Sequence, residues 1–207
     1  MSERNICGVD FSDFLIQMEE FHGYRSHGIL VGGLMLDIAL REMKPTPYLN
    51  VVTETVVCLP DAVQLLTPCT FGNGFLQVLD WGKFALTGYD RDSLSGIRVW
   101  LNPVSLENYP LIRQWFQRSP HSDPKPPFEE LSSEILGAKE NLLDYRSVIL
   151  HKSLKDSQRV PTGRCKECGE FYPLRHGTLC PACQGQAYYD LNPNPIHPKQ
   201  KNCLGAA

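Results

Sequence analysis

Residues 165–183 read CKECGEFYPLRHGTLCPAC, two C-x2-C pairs separated by eleven residues. Each pair can fold into a tight knuckle, and the intervening EFYPLRHGTL can fold back as a hairpin, so Cys165, Cys168, Cys180 and Cys183 converge as four thiolates suited to tetrahedral zinc. The segment is too short to bury a core of its own. Metal binding would therefore supply much of its folding free energy. With all four positions filled by sulfur no coordination site is left for a substrate, and the expected ion is a structural Zn2+. Disulfides or a redox pair are the competing readings of such cysteines. A second thiol-bearing stretch, CLPDAVQLLTPCTFGNG at 58–74, has ten residues between Cys58 and Cys69, Asp61 among them. A helix starting after Cys58 would favour its thiolate and hence metal binding or nucleophilic chemistry. Burial as a small apolar side chain is the alternative, above all for Cys69 beside LLTP.

The elements that must position these groups can be read from periodicity. Phe14, Leu15, Met18 and Phe21 recur at helical spacing behind Asp13, a candidate cap, and lead into FHGYRSHG. Residues 28–43 are apolar on nearly every side, which predicts a central helix whose Gly28, Gly32 and Gly33 admit close neighbours. LNVVTETVV is β-branched and runs up to Cys58, while Pro60 and Asp61 can begin a short helix through AVQLL. Cys58 is thereby expected at a strand-to-helix junction. From residue 75 to 103, apolar runs alternate with the turn signals DWG and SG, which predicts a three-stranded antiparallel meander. A helix is expected over about 106–118, a break at SPHSDPKPP with its four prolines, a helix over about 128–145, and an extended SVILHKSL. This order indicates an α+β core, an antiparallel sheet packed with helices. The domain boundaries expected are 1–158 for the core, 159–190 for the zinc finger and 191–207 for an extended tail.

A formal charge of −3 provides no global cationic field for phosphate backbones or anionic lipid. Arg159, Arg164, Lys166 and Arg175 make the finger locally basic, but a solvated surface accounts for them as well, so nucleic acid is not the expected partner. The start MSERNICGVD lacks a cationic flank followed by an apolar run, and GILVGGLMLDIAL is too short to span a bilayer. A cytoplasmic protein with reduced thiols and no membrane association is expected.

FHGYRSHG, CLPDAVQLLTPCTFGNGFLQVLDWGKFAL and the terminal four-cysteine unit together resemble the E-subunit family of molybdenum and tungsten formylmethanofuran dehydrogenases, over about residues 14–104 and 165–189. Phe21, His22, Gly23 and Gly28 keep the first family motif. Tyr24, Ser26 and His27 stand where that motif has histidine, cysteine and proline. Cys58, Asp61, Ala62, Thr70, Gly72, Gly74, Gly82 and Lys83 keep the second.

The resemblance implies a homodimeric α+β core with a treble-clef zinc finger, a place in one-carbon or molybdenum and tungsten metabolism, and a retained but altered core pocket. It does not make this chain the dehydrogenase, since no cysteine cluster beyond the finger serves iron–sulfur chemistry. His22, Cys58 and Cys69 would offer one nitrogen and two sulfurs to a second divalent metal with an open fourth position, and His27 could stand in for the cysteine absent at Ser26. Asp61 would be the orienting carboxylate or base, and Lys83 would face an anionic group of a small-molecule ligand. Otherwise His22 is a hydrogen-bonded core histidine, Asp61 a helix cap, Lys83 a solvated surface residue and Gly72 and Gly74 a tight turn. The contrasting function is a non-catalytic accessory module docking a partner protein through its finger. The glycine-bearing helix is the candidate dimer surface.

Overall fold

A computed structural model describes residues 5–117, 126–152, 154 and 160–190. Arg159, Cys203, the tail beyond Asp190 and most of the proline-rich break lie outside them. The chain divides into two compact units, Met1–Asp156 and Ser157–Ala207.

In the first unit a short hairpin, β1 (Asn5–Ile6) and β2 (Val9–Asp10), leads into α1 (Phe11–His22) and α2 (His27–Glu42). α1 is capped by Asp10, whose Oδ1 accepts from the Ser12 amide at 2.8 Å, rather than by Asp13, which lies in its first turn. α2 is buried from His27 to Ile38 at almost every position. A helix apolar all round must be covered all round, and α2 is: one side meets the sheet and the others meet α3 (Leu59–Leu66) and α5 (Phe128–Ala138). Gly32 lets α3 approach, since a Cβ there would stand 2.8 Å from that of Ala62. Each fully buried leucine or isoleucine on α2 contributes about 1.5–3 kcal/mol. The same burial removes this helix as a dimer surface: its glycines face side chains of their own chain.

The sheet has five strands in the order β4-β3-β5-β6-β7, with β3 Leu49–Thr53, β4 Leu76–Val78, β5 Ala85–Asp90, β6 Ser95–Leu101 and β7 Leu143–Ile149. β5, β6 and β7 are antiparallel neighbours. β4 does not belong to a meander with them; it pairs in parallel with β3, which lies between β4 and β5. The cause is local. The Trp81 and Lys83 amides both donate to the Glu54 carbonyl, at 3.0 and 3.1 Å, so the chain after β4 wraps past the end of β3 before entering β5. Glu54, itself buried, receives the Arg98 guanidinium in a two-pronged pair at 2.6 and 2.7 Å. α4 (Pro110–Gln117) and α5 complete the helical layer; α5 ends at Ala138, so the extended segment starts at Leu143, earlier than SVILHKSL.

The second unit is small. Its β8 (Thr162–Arg164) and β9 (Phe171–Pro173) form an antiparallel hairpin, and its core is Cys165, Tyr172 and Cys180.

Candidate functional site

In the second unit the hairpin does what the spacing requires. The Cys165 amide donates to the Glu170 carbonyl at 2.9 Å and the Gly169 amide returns to the Cys165 carbonyl at 3.0 Å, closing the first knuckle. The Cys180 amide donates to Cys165 Sγ at 3.3 Å. The sulfurs of Cys165, Cys168, Cys180 and Cys183 all lie within 4.8 Å of one another. Backbone amides aimed at Cys165, that of Cys180 first and then that of Cys168, bring its thiol down to about 6, which favours the thiolate that a metal needs. This is a closed sulfur cage, fit for zinc and with no position left for a substrate. Of the basic residues in this unit, Arg164 lies over the Phe171 ring at 5.7 Å and donates to the Gly169 carbonyl.

In the first unit two stretches far apart in sequence are joined. His22 ends α1 and Asp61 stands in the first turn of α3; His22 Nδ1 and Asp61 Oδ2 are 2.6 Å apart. Ser26 precedes α2 and Cys58 precedes α3; Ser26 Oγ and Cys58 Sγ are 3.4 Å apart. Cys58 and Asp61 are one helical turn apart, so both bridges tie residues 22–28 to the start of α3. Cys58 occupies this corner with φ of +58°, a region in which a non-glycine residue is strained. Gly28 makes room for it: a Cβ there would meet Cys58 Sγ at 2.6 Å and Cβ at 2.7 Å.

The His22 ring is oriented. Asp61 engages Nδ1, the Tyr24 ring lies tilted against the imidazole with centroids 4.5 Å apart, and Nε2 is buried with no hydrogen-bond partner. A buried imidazole nitrogen left over while its other nitrogen is held by a carboxylate has the form of a metal-ligating histidine before metal binding.

The remaining sequence candidates go elsewhere. Cys69 is fully buried and its thiol donates to the Leu49 carbonyl at 3.4 Å. Among the described residues, His22, Cys58 and Cys69 are not a group close enough to share an ion. Burial also pushes the Cys69 thiol up, as suits a core residue. His27 is buried, stacked on Phe128 at 4.7 Å with Nε2 3.3 Å from the Phe128 carbonyl oxygen, and edge-on to Trp115. It ties α2 to the helical layer. Lys83 is exposed and its Nζ lies over the Trp81 ring at 5.5 Å. Gly72 and Gly74 belong to a turn closed by Asn73, whose side chain takes the Thr70 and Phe75 amides and donates to the Pro68 carbonyl. Among the described residues, the four finger cysteines are the one group of three or more histidine, cysteine and acidic side chains close enough to share an ion. The Ser26–Cys58 contact was hidden in the sequence; its signal is Gly28, the glycine nearest the start of an otherwise apolar helix.

Comparison with known proteins adds three findings. Residues 21–150 match the family described as FmdE, Molybdenum formylmethanofuran dehydrogenase operon, and residues 156–190 match the FmdE treble clef zinc finger. A protein of Archaeoglobus fulgidus described as a probable S-adenosyl-L-methionine-binding protein is 28% identical over 84% of this chain. The chain spans about half of that relative, 53% of its length. The crystal structure of an FmdE-like protein of the tungsten formylmethanofuran dehydrogenase type, from Syntrophus aciditrophicus, is 37% identical, with a TM-score of 0.82 over 91% of this chain and all of the other.

Proposed function

This chain belongs to the FmdE family, and from that premise we propose that its core pocket is a second metal site, separate from the structural zinc of the finger. His22 Nε2 and Cys58 Sγ are its protein donors, and the rest of the coordination sphere is left to water or a small-molecule ligand. Asp61 orients the His22 ring, leaving Nε2 as the nitrogen that binds. A metal with only two protein donors exchanges its other ligands readily, so the function is binding and polarising a small molecule at the ion. The link to one-carbon metabolism is drawn from the names that the family and its solved relative carry.

The observation that carries this reading is the buried, partnerless Nε2 of an imidazole whose Nδ1 is fixed by Asp61 at 2.6 Å. The test is metal content by mass spectrometry for the wild type and for Cys58→Ala and His22→Ala, after equilibration with zinc and gel filtration. More than one equivalent per chain, falling to one in either variant, supports the proposal; one equivalent in all three proteins would overturn it.

A second reading is a non-catalytic accessory module with zinc in the finger alone. It is favoured by Cys69 pointing to the Leu49 carbonyl, which takes the third expected donor away from the pocket. It predicts the one-equivalent result.

A further inference from the structure

Ser26 stands at the N-cap of α2 with backbone angles suited to a cap, φ −120° and ψ 124°, yet its side chain makes no capping hydrogen bond. Serine is favoured at this position because its oxygen accepts from an amide of the first turn. Here that contribution is given up. Ser26 is 5% exposed, and its Oγ lies 3.4 Å from Cys58 Sγ. Its amide donates to Met18 Sδ at 3.1 Å and its carbonyl accepts from the Leu30 amide at 3.1 Å, so the backbone of the cap is fixed while the hydroxyl is turned to the sulfur.

The surroundings give the hydroxyl the donor's part. Cys58 Sγ rests on the first turn of α2, where a Cβ at Gly28 would come within 2.6 Å of it, and Cys58 is itself the N-cap of α3. The positive ends of two helices thus meet near this sulfur and favour an anion there. A thiolate can only accept, whereas a hydroxyl donates as readily as it accepts. The Cβ that Gly28 lacks would also stand 3.7 Å from Ser26 Oγ, so the space that seats Cys58 leaves room for its partner.

We propose that Ser26 is a positioning residue of the core metal site: its hydroxyl, diverted from the helix cap, donates to the Cys58 thiolate and holds the sulfur toward the ion. This role rests on the second metal site proposed for His22 and Cys58. A hydrogen bond to a ligating sulfur fixes its direction and draws charge from it. The ion then keeps more of its own charge for polarising a bound small molecule. A local rule of helix capping is broken where a site gains from it.

Two variants that lack the hydroxyl separate this role from capping. Ser26→Ala removes hydroxyl and cap together, while Ser26→Gly removes the hydroxyl and leaves a nearly equal cap. The full chain is used with zinc in the finger, where it is spectroscopically silent, and with Co2+ as the probe of the core. Competition titration against a chelator should show Co2+ affinity lowered by about 10- to 100-fold in both variants. The sulfur-to-cobalt charge-transfer band should move to longer wavelength in both, because a sulfur without its hydrogen bond gives up charge more easily. Without Co2+, Ser26→Ala should lower the urea midpoint of the wild type but not that of Cys58→Ala. A midpoint loss of equal size in both backgrounds and absent from Ser26→Gly would make Ser26 an ordinary cap and overturn the inference. Co2+ bound with unchanged affinity and spectrum in both variants would overturn it while leaving the metal site standing; a wild type that takes up no Co2+ beside the zinc-loaded finger would overturn the metal site and the role of Ser26 with it.

Discussion

His22 Nδ1 lies 2.6 Å from Asp61 Oδ2, tying the last residue of α1 to the first turn of α3 across 39 positions of sequence. Asp61 is well placed twice over, since a carboxylate in a first helical turn also meets the positive end of that helix. With the His22 side chain 16% exposed and the Asp61 side chain 35%, water screens the pair, and its worth to stability is modest.

Asp61→Asn separates the two roles. The amide keeps the shape but lacks the carboxylate that fixes the orientation of the His22 ring. The unfolding free energy should fall by about 1 kcal/mol. If the proposed core site binds metal, its affinity should fall by about 10- to 100-fold. Competition titration against a chromophoric chelator, with the finger already loaded, measures the second quantity. An unchanged affinity would remove Asp61 from the site.

Removing metal should act on the finger before the core. Among the described residues, the unit holding β8 and β9 buries Cys165, Tyr172 and Cys180 and little else, whereas α2 and its neighbours bury a continuous apolar cluster. A strong chelator should therefore abolish amide protection over about residues 160–190 and leave that of α2 and β3 to β6 intact. Hydrogen exchange read by mass spectrometry makes the comparison. Loss of protection throughout would show that the first unit also depends on metal.

Some of this site was legible in the chain and some was not, for identifiable reasons. The four finger cysteines are local, so spacing alone brings them together. The all-round apolar α2 had to be central, and the Pro60–Asp61 start had to follow a strand. Where Cys69 points is a tertiary matter: its sulfur is fixed by the Leu49 carbonyl, which no local pattern announces. The meander reading failed because turn signals report reversals and not which strand lies alongside. The Glu54 carbonyl, by holding Trp81 and Lys83, sends β4 to the far side of β3. His27 has the side chain of a ligand, but its place on the first turn of α2 turns it to Phe128 and Trp115.

Asp90 should contribute an acid-dependent share of stability. The Thr46 hydroxyl first, then the Ser93 amide, hold its carboxyl at about 2, below the ordinary 3.8. A carboxyl depressed on folding binds protons more readily in the unfolded chain, so its stabilisation is present above about pH 4 and is lost as pH falls toward 2. The stability difference between wild type and Asp90→Asn, from denaturant titrations, should be level from pH 7 to pH 5 and shrink between pH 4 and 2. A difference independent of pH would show that the loop is held by the shape of the side chain and not by its charge.

Gly28 and Cys58 should behave as a coupled pair. Alanine at 28 would drive its Cβ into Cys58 Sγ and Cβ, at 2.6 and 2.7 Å, with Ser26 Oγ next at 3.7 Å. Overpacking of this kind costs about 1–3 kcal/mol. Cys58→Gly removes both colliding atoms and relieves a backbone at φ of +58°, worth about 1 kcal/mol, against the loss of the thiol's packing. The single Cys58→Gly variant should thus stay close to wild type in stability while losing the pocket's sulfur, and the double variant should recover most of what Gly28→Ala loses. Denaturant unfolding of the four proteins gives the coupling energy, expected at about 1–2 kcal/mol. Simple additivity would mean that α2 shifts to accept the methyl group, and that the tight seat of Cys58 on α2 is not what fixes the thiol in the pocket.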